Sequence, residues 1–351
     1  MLSNSNQLGG KRFDPNGLET DRDFRLQQLL EWLNSVAPEM VRAVEPASGD
    51  ASFRRYFRVH LGGRTLIAMD APPAVEKIRP FIQVGGLFTR AGVCVPKIVE
   101  FNEDLGFMLL ADFGPISYLS RLDPVSAPAL YQDATNVLKR LNNHLDIETC
   151  GLPDYGGDLV SRELDLFEQW FLCGKLEMVL SSAELKILEH AKAFLTDKML
   201  EQPKVVVHRD FHSRNLMVLE QDNPGVLDFQ DAVVGPITYD LASLLRDCYI
   251  AWPEPTVEQW VFDYFSNLGL QKIDFEQFFH WFELTGLQRH MKAVGIFSRL
   301  DIRDGRDGYL ADIPRTLNYI RTVSARYAEL SALHDFVTTS VAERMTTASL
   351  S

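Results

Sequence analysis

Three features are scarce in this sequence, and each scarcity excludes a class of protein. The cysteines are few and too widely spaced for a zinc site or a disulfide scaffold: Cys94, Cys150, Cys173 and Cys248. Lysine and arginine total 35 against 48 acidic residues, and the net charge of −13 argues against a nucleic-acid partner. No apolar run reaches membrane-spanning length, and the polar N-terminus lacks the apolar core of a signal peptide. We therefore expect a cytoplasmic protein with no membrane or nucleic-acid partner.

The composition that is present is typical of a folded enzyme. Hydrophobic residues make up 46% of the chain and charged residues 24%. A chain of 351 residues exceeds what one hydrophobic core usually serves, so two lobes are expected. We predict a flexible tail at residues 1–20, an N-terminal lobe at 21–113 and a helical C-terminal lobe at 114–351.

Local patterns predict the elements of these lobes. Helical periodicity begins behind Asp21, and Gly62-Gly63 between two apolar runs indicates a β-hairpin. A helix at about 76–91 and strands at 96–101 and 106–111 complete a small lobe, after which the pattern is mostly helical. The predicted fold class is α+β, with a small antiparallel sheet followed by a larger, mostly helical lobe.

The strongest motif is a loop that follows an apolar strand. His208-Arg209-Asp210 is followed five residues later by Asn215, which is the spacing H-R-D-x-x-x-x-N of a kinase catalytic loop. Phosphoryl transfer needs an oriented acceptor hydroxyl and metal ions that hold the charge of the moving phosphoryl group. Asp210 is predicted to orient the hydroxyl and accept its proton, Asn215 to bind Mg²⁺, and His208 to hold the loop.

A second acidic residue completes the pattern. Asp228 ends another short apolar run, and its carboxylate is the kind of hard ligand that Mg²⁺ prefers. Asp210 or Asp228 alone would be read as an ordinary turn-capping residue. In this order, with Asn215 between them, they predict a phosphotransferase that uses ATP and magnesium.

A small polar turn opens the predicted hairpin, and it consists of Ser48, Gly49, Asp50, Ala51 and Ser52. Short residues let backbone N–H groups approach phosphates, although an ordinary hairpin turn has the same composition. Arg54 and Arg55 follow the turn and are candidate phosphate contacts.

With these motifs the chain resembles the aminoglycoside phosphotransferase and choline kinase superfamily over nearly its whole length. The resemblance implies a bilobal, protein-kinase-like fold with the nucleotide between the lobes. It also implies that the segment 107–114 is a hinge that contacts adenine, with Leu110 and Asp112 as the candidate contacts. Asp240 matches the family's downstream aspartate, which braces the catalytic loops.

Several stretches are similar to the anomeric N-acetylmuramate/N-acetylglucosamine kinases of Gram-negative cell-wall recycling. The matching stretches are Ser52–Arg58, Met69–Pro73, Gly225–Ala232, Gly286–His290 and Tyr309–Pro314. This resemblance implies transfer of phosphate to the anomeric hydroxyl of the sugar, and a product that a uridylyltransferase then uses.

Two departures from the kinase pattern accompany the resemblance. The third strand has Met69 where most relatives carry a phosphate-binding lysine, so either Arg54 or Arg55 compensates or phosphate binding is weaker. Gln230 stands where protein kinases have a glycine. Both features resemble traits of the anomeric sugar kinases.

The acceptor pocket is expected in the helical lobe. Arg289, Arg214 and His290 are the candidate substrate residues, although any one of them is equally consistent with a surface charge on a long helix. A kinase for another small alcohol, such as an aminoglycoside or choline, is the first alternative, and a nucleotide-binding regulator without turnover is the second. A cationic substrate needs an acidic pocket, and Arg289 and His290 argue against one.

Overall fold

The computed structural model describes residues 15–48 and 53–347. These residues divide into two compact units. The first runs to Ile78 and resumes over Lys97–Asp112, and the second comprises Arg79–Pro96 and the chain from Phe113 onward.

The first unit contains a five-stranded antiparallel sheet with the strand order β1-β2-β3-β5-β4. Its strands are β1 (Ala43–Ser48), β2 (Arg55–His60), β3 (Thr65–Asp70), β4 (Ile98–Asn102) and β5 (Phe107–Ala111). The predicted hairpin corresponds to β2 and β3. The sequence patterns do not predict β1, because it has no apolar alternation and contains Pro46, a residue tolerated mainly at sheet edges.

One helix covers this sheet. Helix α1 (Pro15–Val36) contributes Leu29 and Leu33 to a core shared with the strands, and the Trp32 ring lies 5.7 Å from the Phe107 ring. The helix begins at Pro15, a residue favoured in the first helical turn, so residues 15–20 are helical and not the predicted tail. The rest of that predicted tail, residues 1–14, lies outside the described residues.

Helix α2 (Arg79–Arg90) belongs to the second unit, although the sequence pattern places it in an N-terminal lobe of residues 21–113. Its apolar face supplies the reason. The ring of Phe81 lies 4.6 Å from that of Phe229, a residue of the second unit. Aromatic packing of this kind buries large apolar areas and fixes the partner of a helix.

The second unit is mainly helical. Its other helices are α3 (Tyr118–Arg121), α4 (Ala127–His144), α5 (Gly157–Leu166), α6 (Ser182–Leu200), α7 (Tyr239–Leu245), α8 (Glu254–Phe265), α9 (Phe275–Asp304), α10 (Ile313–Ser324), α11 (Ser331–Phe336) and α12 (Ala342–Thr347). Segments of π-helix (Phe167–Lys175, Val337–Val341) and 3₁₀-helix (Asp307–Asp312, Ala328–Leu330) join some of them. Among the helices described, none is both long enough and apolar enough to cross a lipid bilayer.

Helix α9 runs through the centre of this unit. Its N-terminus is capped by Asp274, whose side chain accepts the N–H of Gln277, and its C-terminus is capped by Gly305, which has a φ of 64°. Gly295 allows a close approach to α5, because a Cβ atom there would lie 2.4 Å from the carbonyl carbon of Leu166. Polar as well as apolar residues of α9 are buried.

Two short antiparallel strand pairs carry the predicted catalytic motifs. Strand β6 (Lys204–Val207) pairs with β9 (Val233–Pro236), and β7 (Leu216–Met217) pairs with β8 (Gly225–Val226). The His208 motif follows β6, and Asp228 follows β8. The chain thus has the predicted α+β composition.

Candidate active site

The loop after β6 is held by a buried carboxylate. Asp240 accepts the backbone N–H of His208 at 2.6 Å and that of Arg209 at 3.0 Å. Burial raises the pKa of Asp240 to about 7, while the two N–H donors act in the opposite direction. Arg209 has a φ of 79°, which L-residues rarely adopt, so the Asp240 bonds hold a strained turn in place.

The His208 ring joins this loop to the loop after β8. Its Nε2 lies 2.9 Å from the carbonyl oxygen of Leu227, and its Nδ1 lies 3.2 Å from the backbone N of Asp210. A ring that donates from Nε2 and accepts at Nδ1 is neutral. Burial lowers the pKa of His208 to about 4, which favours the same neutral form. His208 is therefore a neutral bridge between the two strand ends.

The predicted catalytic and metal-binding residues lie together. Asn215 donates from Nδ2 to the carbonyl oxygen of Asp210 at 2.9 Å, and the same atom lies 3.5 Å from Oδ2 of Asp228. Asp228 has a φ of 60°, and its Oδ1 accepts a hydrogen bond of 2.8 Å from Gln230. Positive φ at a residue other than glycine is enriched at functional sites.

The charges around Asp210 favour its carboxylate form. Burial acts to raise the pKa of Asp210, but Lys292, His212, Arg289 and Arg209 together hold it below its ordinary value. An ionised carboxylate in this position can accept a hydrogen bond from an acceptor hydroxyl.

A buried glutamate that no motif predicts organises these cations. Oε1 of Glu163 lies 2.6 Å from Nη2 of Arg209 and 3.0 Å from Nζ of Lys292. Its Oε2 accepts hydrogen bonds from Tyr155 at 2.5 Å and Gln288 at 3.1 Å. Burial would raise the pKa of Glu163, yet these partners lower it to about 2. The apolar pattern of α5 indicates a buried face, but nothing local reveals the partners of Glu163.

Two of the predicted substrate residues lie inside the protein. His290 bonds to the carbonyl oxygen of Arg246 at 2.8 Å and stacks on Tyr319 at 4.5 Å, and burial lowers its pKa to about 3. Arg289 is also buried and donates to the carbonyl oxygen of Arg209 at 3.2 Å. The His290 side chain is buried because α9 is covered on several faces, and a substrate role for His290 stays a prediction. The argument against an acidic acceptor pocket used the charges of Arg289 and His290, and it is weakened because both side chains are buried.

The third predicted substrate residue, Arg214, lies nearer the surface. Its guanidinium group lies 3.7 Å from the ring centre of Tyr249 and 5.3 Å from that of Tyr309. One of its nitrogens is 3.8 Å from Oδ2 of Asp312. The aromatic rings hold Arg214 mainly by cation–π contact.

The predicted nucleotide contacts belong to the first unit. Ser48 ends β1, and Gly49, Asp50, Ala51 and Ser52 lie outside the described residues. Arg54 forms an ion pair of 3.1 Å with Glu76. Arg55 binds Asp70 through Nε and Nη2, at 2.9 and 2.5 Å, and Asp70 is fully buried.

The predicted hinge contacts lie at the C-terminal end of strand β5. Leu110 is buried in β5 opposite Ile67 and Ile98, so its backbone belongs to the central part of the sheet. Asp112 follows the last residue of β5, and its carboxylate binds Nε of Arg58 at 2.6 Å.

A groove of about 780 Å³ opens beside the catalytic loop within the second unit. It is lined by the start of α2, by the chain around Gly151–Leu159, and by Arg162, Arg209 and Gln230–Val233. Its volume lies in the range of small-molecule binding sites. The sequence patterns do not predict this groove, because its walls come from segments far apart in the chain.

The neutral His208 bridge, the ionised Asp210 and the adjacent pair of Asn215 and Asp228 define a kinase-like phosphotransferase. The chain belongs to the APH phosphotransferase enzyme family, whose model matches residues 43–276. This result confirms the predicted family.

Curated relatives share most of the chain. It is 42% identical over 330 residues to an N-acetylmuramate/N-acetylglucosamine kinase of Pseudomonas aeruginosa, covering 90% of this chain and 96% of the relative. It is 40% identical over 316 residues to a protein of the same name from Neisseria meningitidis, covering 88% and 93%.

Solved structures match the fold. The GDP complex of aminoglycoside 2'-phosphotransferase-IIIa has a TM-score of 0.60 at 15% identity, covering 86% of this chain and 99% of that one. The choline kinase LicA from Streptococcus pneumoniae has a TM-score of 0.57 at 13% identity, covering 85% and 99%. The predicted bilobal, protein-kinase-like fold is confirmed.

Proposed function

We propose that this protein is an ATP-dependent kinase that transfers phosphate to the anomeric hydroxyl of N-acetylmuramate or N-acetylglucosamine. The names of the relatives that are 40–42% identical support the choice of sugar. The observation that carries the chemistry is the position of Asn215, whose amide nitrogen lies 2.9 Å from the Asp210 carbonyl oxygen and 3.5 Å from the Asp228 carboxylate.

In this proposal Asp210 is the base. It accepts a hydrogen bond from the anomeric hydroxyl and directs that oxygen towards the γ-phosphorus of ATP. The bond between the anomeric oxygen and the γ-phosphorus forms as the bond from that phosphorus to the bridging oxygen of ADP breaks. The hydroxyl proton passes to Asp210, and ADP leaves.

Asn215 and Asp228 fit a magnesium ion. An amide oxygen and a carboxylate are hard ligands, and Mg²⁺ usually binds through one or two carboxylates together with substrate phosphates and water. Within residues 15–48 and 53–347, no cluster of three or more His, Cys, Asp and Glu side chains is placed to hold a metal ion. A bound Mg²⁺ would neutralise charge on the β- and γ-phosphates.

Arg54 is the better candidate for the role of the missing third-strand lysine. In protein kinases that lysine forms an ion pair with a glutamate, and the Arg54–Glu76 pair has the same chemistry. Arg55, in contrast, binds a fully buried carboxylate through two of its nitrogens, so releasing it would leave Asp70 with less compensation.

The product of this reaction would be a sugar 1-phosphate. Its phosphate is placed to attack the α-phosphorus of a nucleoside triphosphate, which is the reaction of a uridylyltransferase. We propose that such an enzyme uses the product in cell-wall recycling, and that the kinase works in the cytoplasm.

An ADP-release assay with N-acetylmuramate, N-acetylglucosamine, kanamycin and choline tests the proposal. Turnover is expected with the amino sugars, and the product should release phosphate in mild acid, as anomeric phosphates do. Turnover with kanamycin or choline alone would identify a different alcohol kinase. ATP binding without turnover on any acceptor would identify a non-catalytic regulator.

A further inference from the structure

The groove beside the catalytic loop is connected to the proposed metal site through Gln230. This residue lines the groove, and its Nε2 donates to Oδ1 of Asp228 at 2.8 Å. Its Oε1 is buried and has no hydrogen-bond partner among the residues that the structure describes. An unsatisfied buried acceptor is costly, so a donor on a bound molecule would stabilise this arrangement.

Two arginine side chains line the groove, and only one of them has an acidic partner that neutralises its charge. Arg209 forms an ion pair of 2.6 Å with the buried Glu163. Arg162 is exposed on α5 and has no ion pair or hydrogen bond to its side chain in the described part of the chain. Arg162 and Glu163 are adjacent on α5 but differ in environment, because Glu163 is buried whereas Arg162 is exposed and lines the groove.

Carboxylates form the rest of the charged lining. Asp154 pairs with Lys204 at 2.5 Å, Asp231 accepts a hydrogen bond of 3.3 Å from Gln230, and Asp158 lies in the first turn of α5. Carboxylates are good acceptors for the hydroxyl groups of a sugar. The lining thus suits a hydroxylated ligand that carries one anionic group for Arg162.

We propose that the groove binds the acceptor sugar and that Arg162 recognises the lactyl carboxylate of N-acetylmuramate. This inference rests on the proposed function and adds a residue that distinguishes the two sugars. N-acetylglucosamine has no carboxylate, so it would use the hydroxyl acceptors and Gln230 without Arg162. A guanidinium group can bind a carboxylate through two parallel hydrogen bonds, which makes the contact specific as well as strong.

The test compares kcat/KM for both sugars in the full-length wild-type protein and in Arg162→Gln, Arg162→Lys and Arg321→Gln. Arg162→Gln should lower kcat/KM for N-acetylmuramate by about 10- to 100-fold, the usual range for losing a hydrogen bond to a charged group, and leave N-acetylglucosamine within about 2-fold. Arg162→Lys should retain part of the preference, because it keeps the charge without the fork. Arg321 is an exposed arginine of α10 outside the groove, so its variant should match the wild type.

The outcomes separate this inference from the proposed function. No turnover of either sugar by the wild-type protein would reject the proposed function itself. An active wild-type protein whose Arg162→Gln variant loses both sugars equally, or neither, would overturn the role of Arg162 alone. Thermal unfolding of each variant identifies any loss that comes from unfolding.

Discussion

Replacing Glu163 with glutamine removes one negative charge from a buried set of cations while it keeps the size and shape of the side chain. The carboxylate of Glu163 contacts Arg209 and Lys292, and all three groups are largely shielded from water. Breaking a buried ion pair by removing one partner costs about 3–5 kcal/mol, because the remaining charge is left uncompensated. Glu163→Gln leaves two such charges close together.

The pKa of Glu163 leads to a similar magnitude. A folded pKa of about 2 against an ordinary value of 4.5 corresponds to about 3 kcal/mol of stabilisation. Because the folded pKa is depressed, this stabilisation is present above about pH 4.5 and is lost as the pH falls towards 2. Glu163→Gln should therefore lower the free energy of unfolding by about 3 kcal/mol at pH 7, and the difference from wild type should shrink below pH 4.5.

Urea denaturation at pH 7 measures this effect, and Glu163→Gln/Lys292→Met is the matched control. The double variant has the same net charge in the cluster as the wild type, so it should be more stable than the single Glu163→Gln variant by about 1–2 kcal/mol. The reasoning is refuted if Glu163→Gln lies within about 0.5 kcal/mol of wild type, or if the double variant is less stable than the single Glu163→Gln variant.

Three further predictions concern the loops and the helix packing. Asp228→Ala should weaken nucleotide binding in the presence of magnesium and leave binding in EDTA unchanged, as measured by calorimetry; an equal loss in both buffers would contradict a metal-ligand role. His208→Gln should cost about 1–3 kcal/mol at pH 7.5 and flatten the pH dependence of stability. The folded His208 pKa of about 4 lies below the ordinary 6.5, so the wild type loses stability as the pH falls from 6.5 to 4. If the stability of His208→Gln fell equally over this pH range, protonation of His208 would not be the cause of the loss. Gly295→Ala should destabilise the protein by about 3 kcal/mol or more, because the new methyl group meets backbone of Leu166, whereas Gly308→Ala, with open space around it, should stay within about 0.5 kcal/mol in the same thermal unfolding assay.

Local sequence patterns predicted the elements whose conformation depends mainly on residues close together in the chain. The hairpin consists of β2, where aromatic and basic residues are interleaved, and β3, a short apolar run, joined through Gly62-Gly63, and β6 is another short apolar run. The spacing of the Asp210 and Asn215 motif depends only on neighbours in the chain. Strand β1 was missed because its stability comes from pairing with β2 rather than from its own composition.

The rest of the site depends on contacts between distant residues. Glu163 meets Arg209 across 46 positions and Gln288 across 125, and no local pattern encodes these distances. The burial of His290 was not predicted for a related reason. A polar stretch on a helix normally indicates a solvent-exposed face, but α9 lies in the centre of its unit, so its polar residues bond to other buried groups.

The most direct test of the central claim compares Asp210→Ala with the wild-type protein. The account predicts that turnover of N-acetylmuramate falls by about 10²–10⁴-fold, as expected for loss of a catalytic base, while ATP affinity changes by less than about 3-fold. Rapid-quench measurement of the sugar phosphate formed, together with ATP titration of the same protein, provides both numbers. Near-normal turnover by the variant would contradict the role of Asp210 and the mechanism built on it.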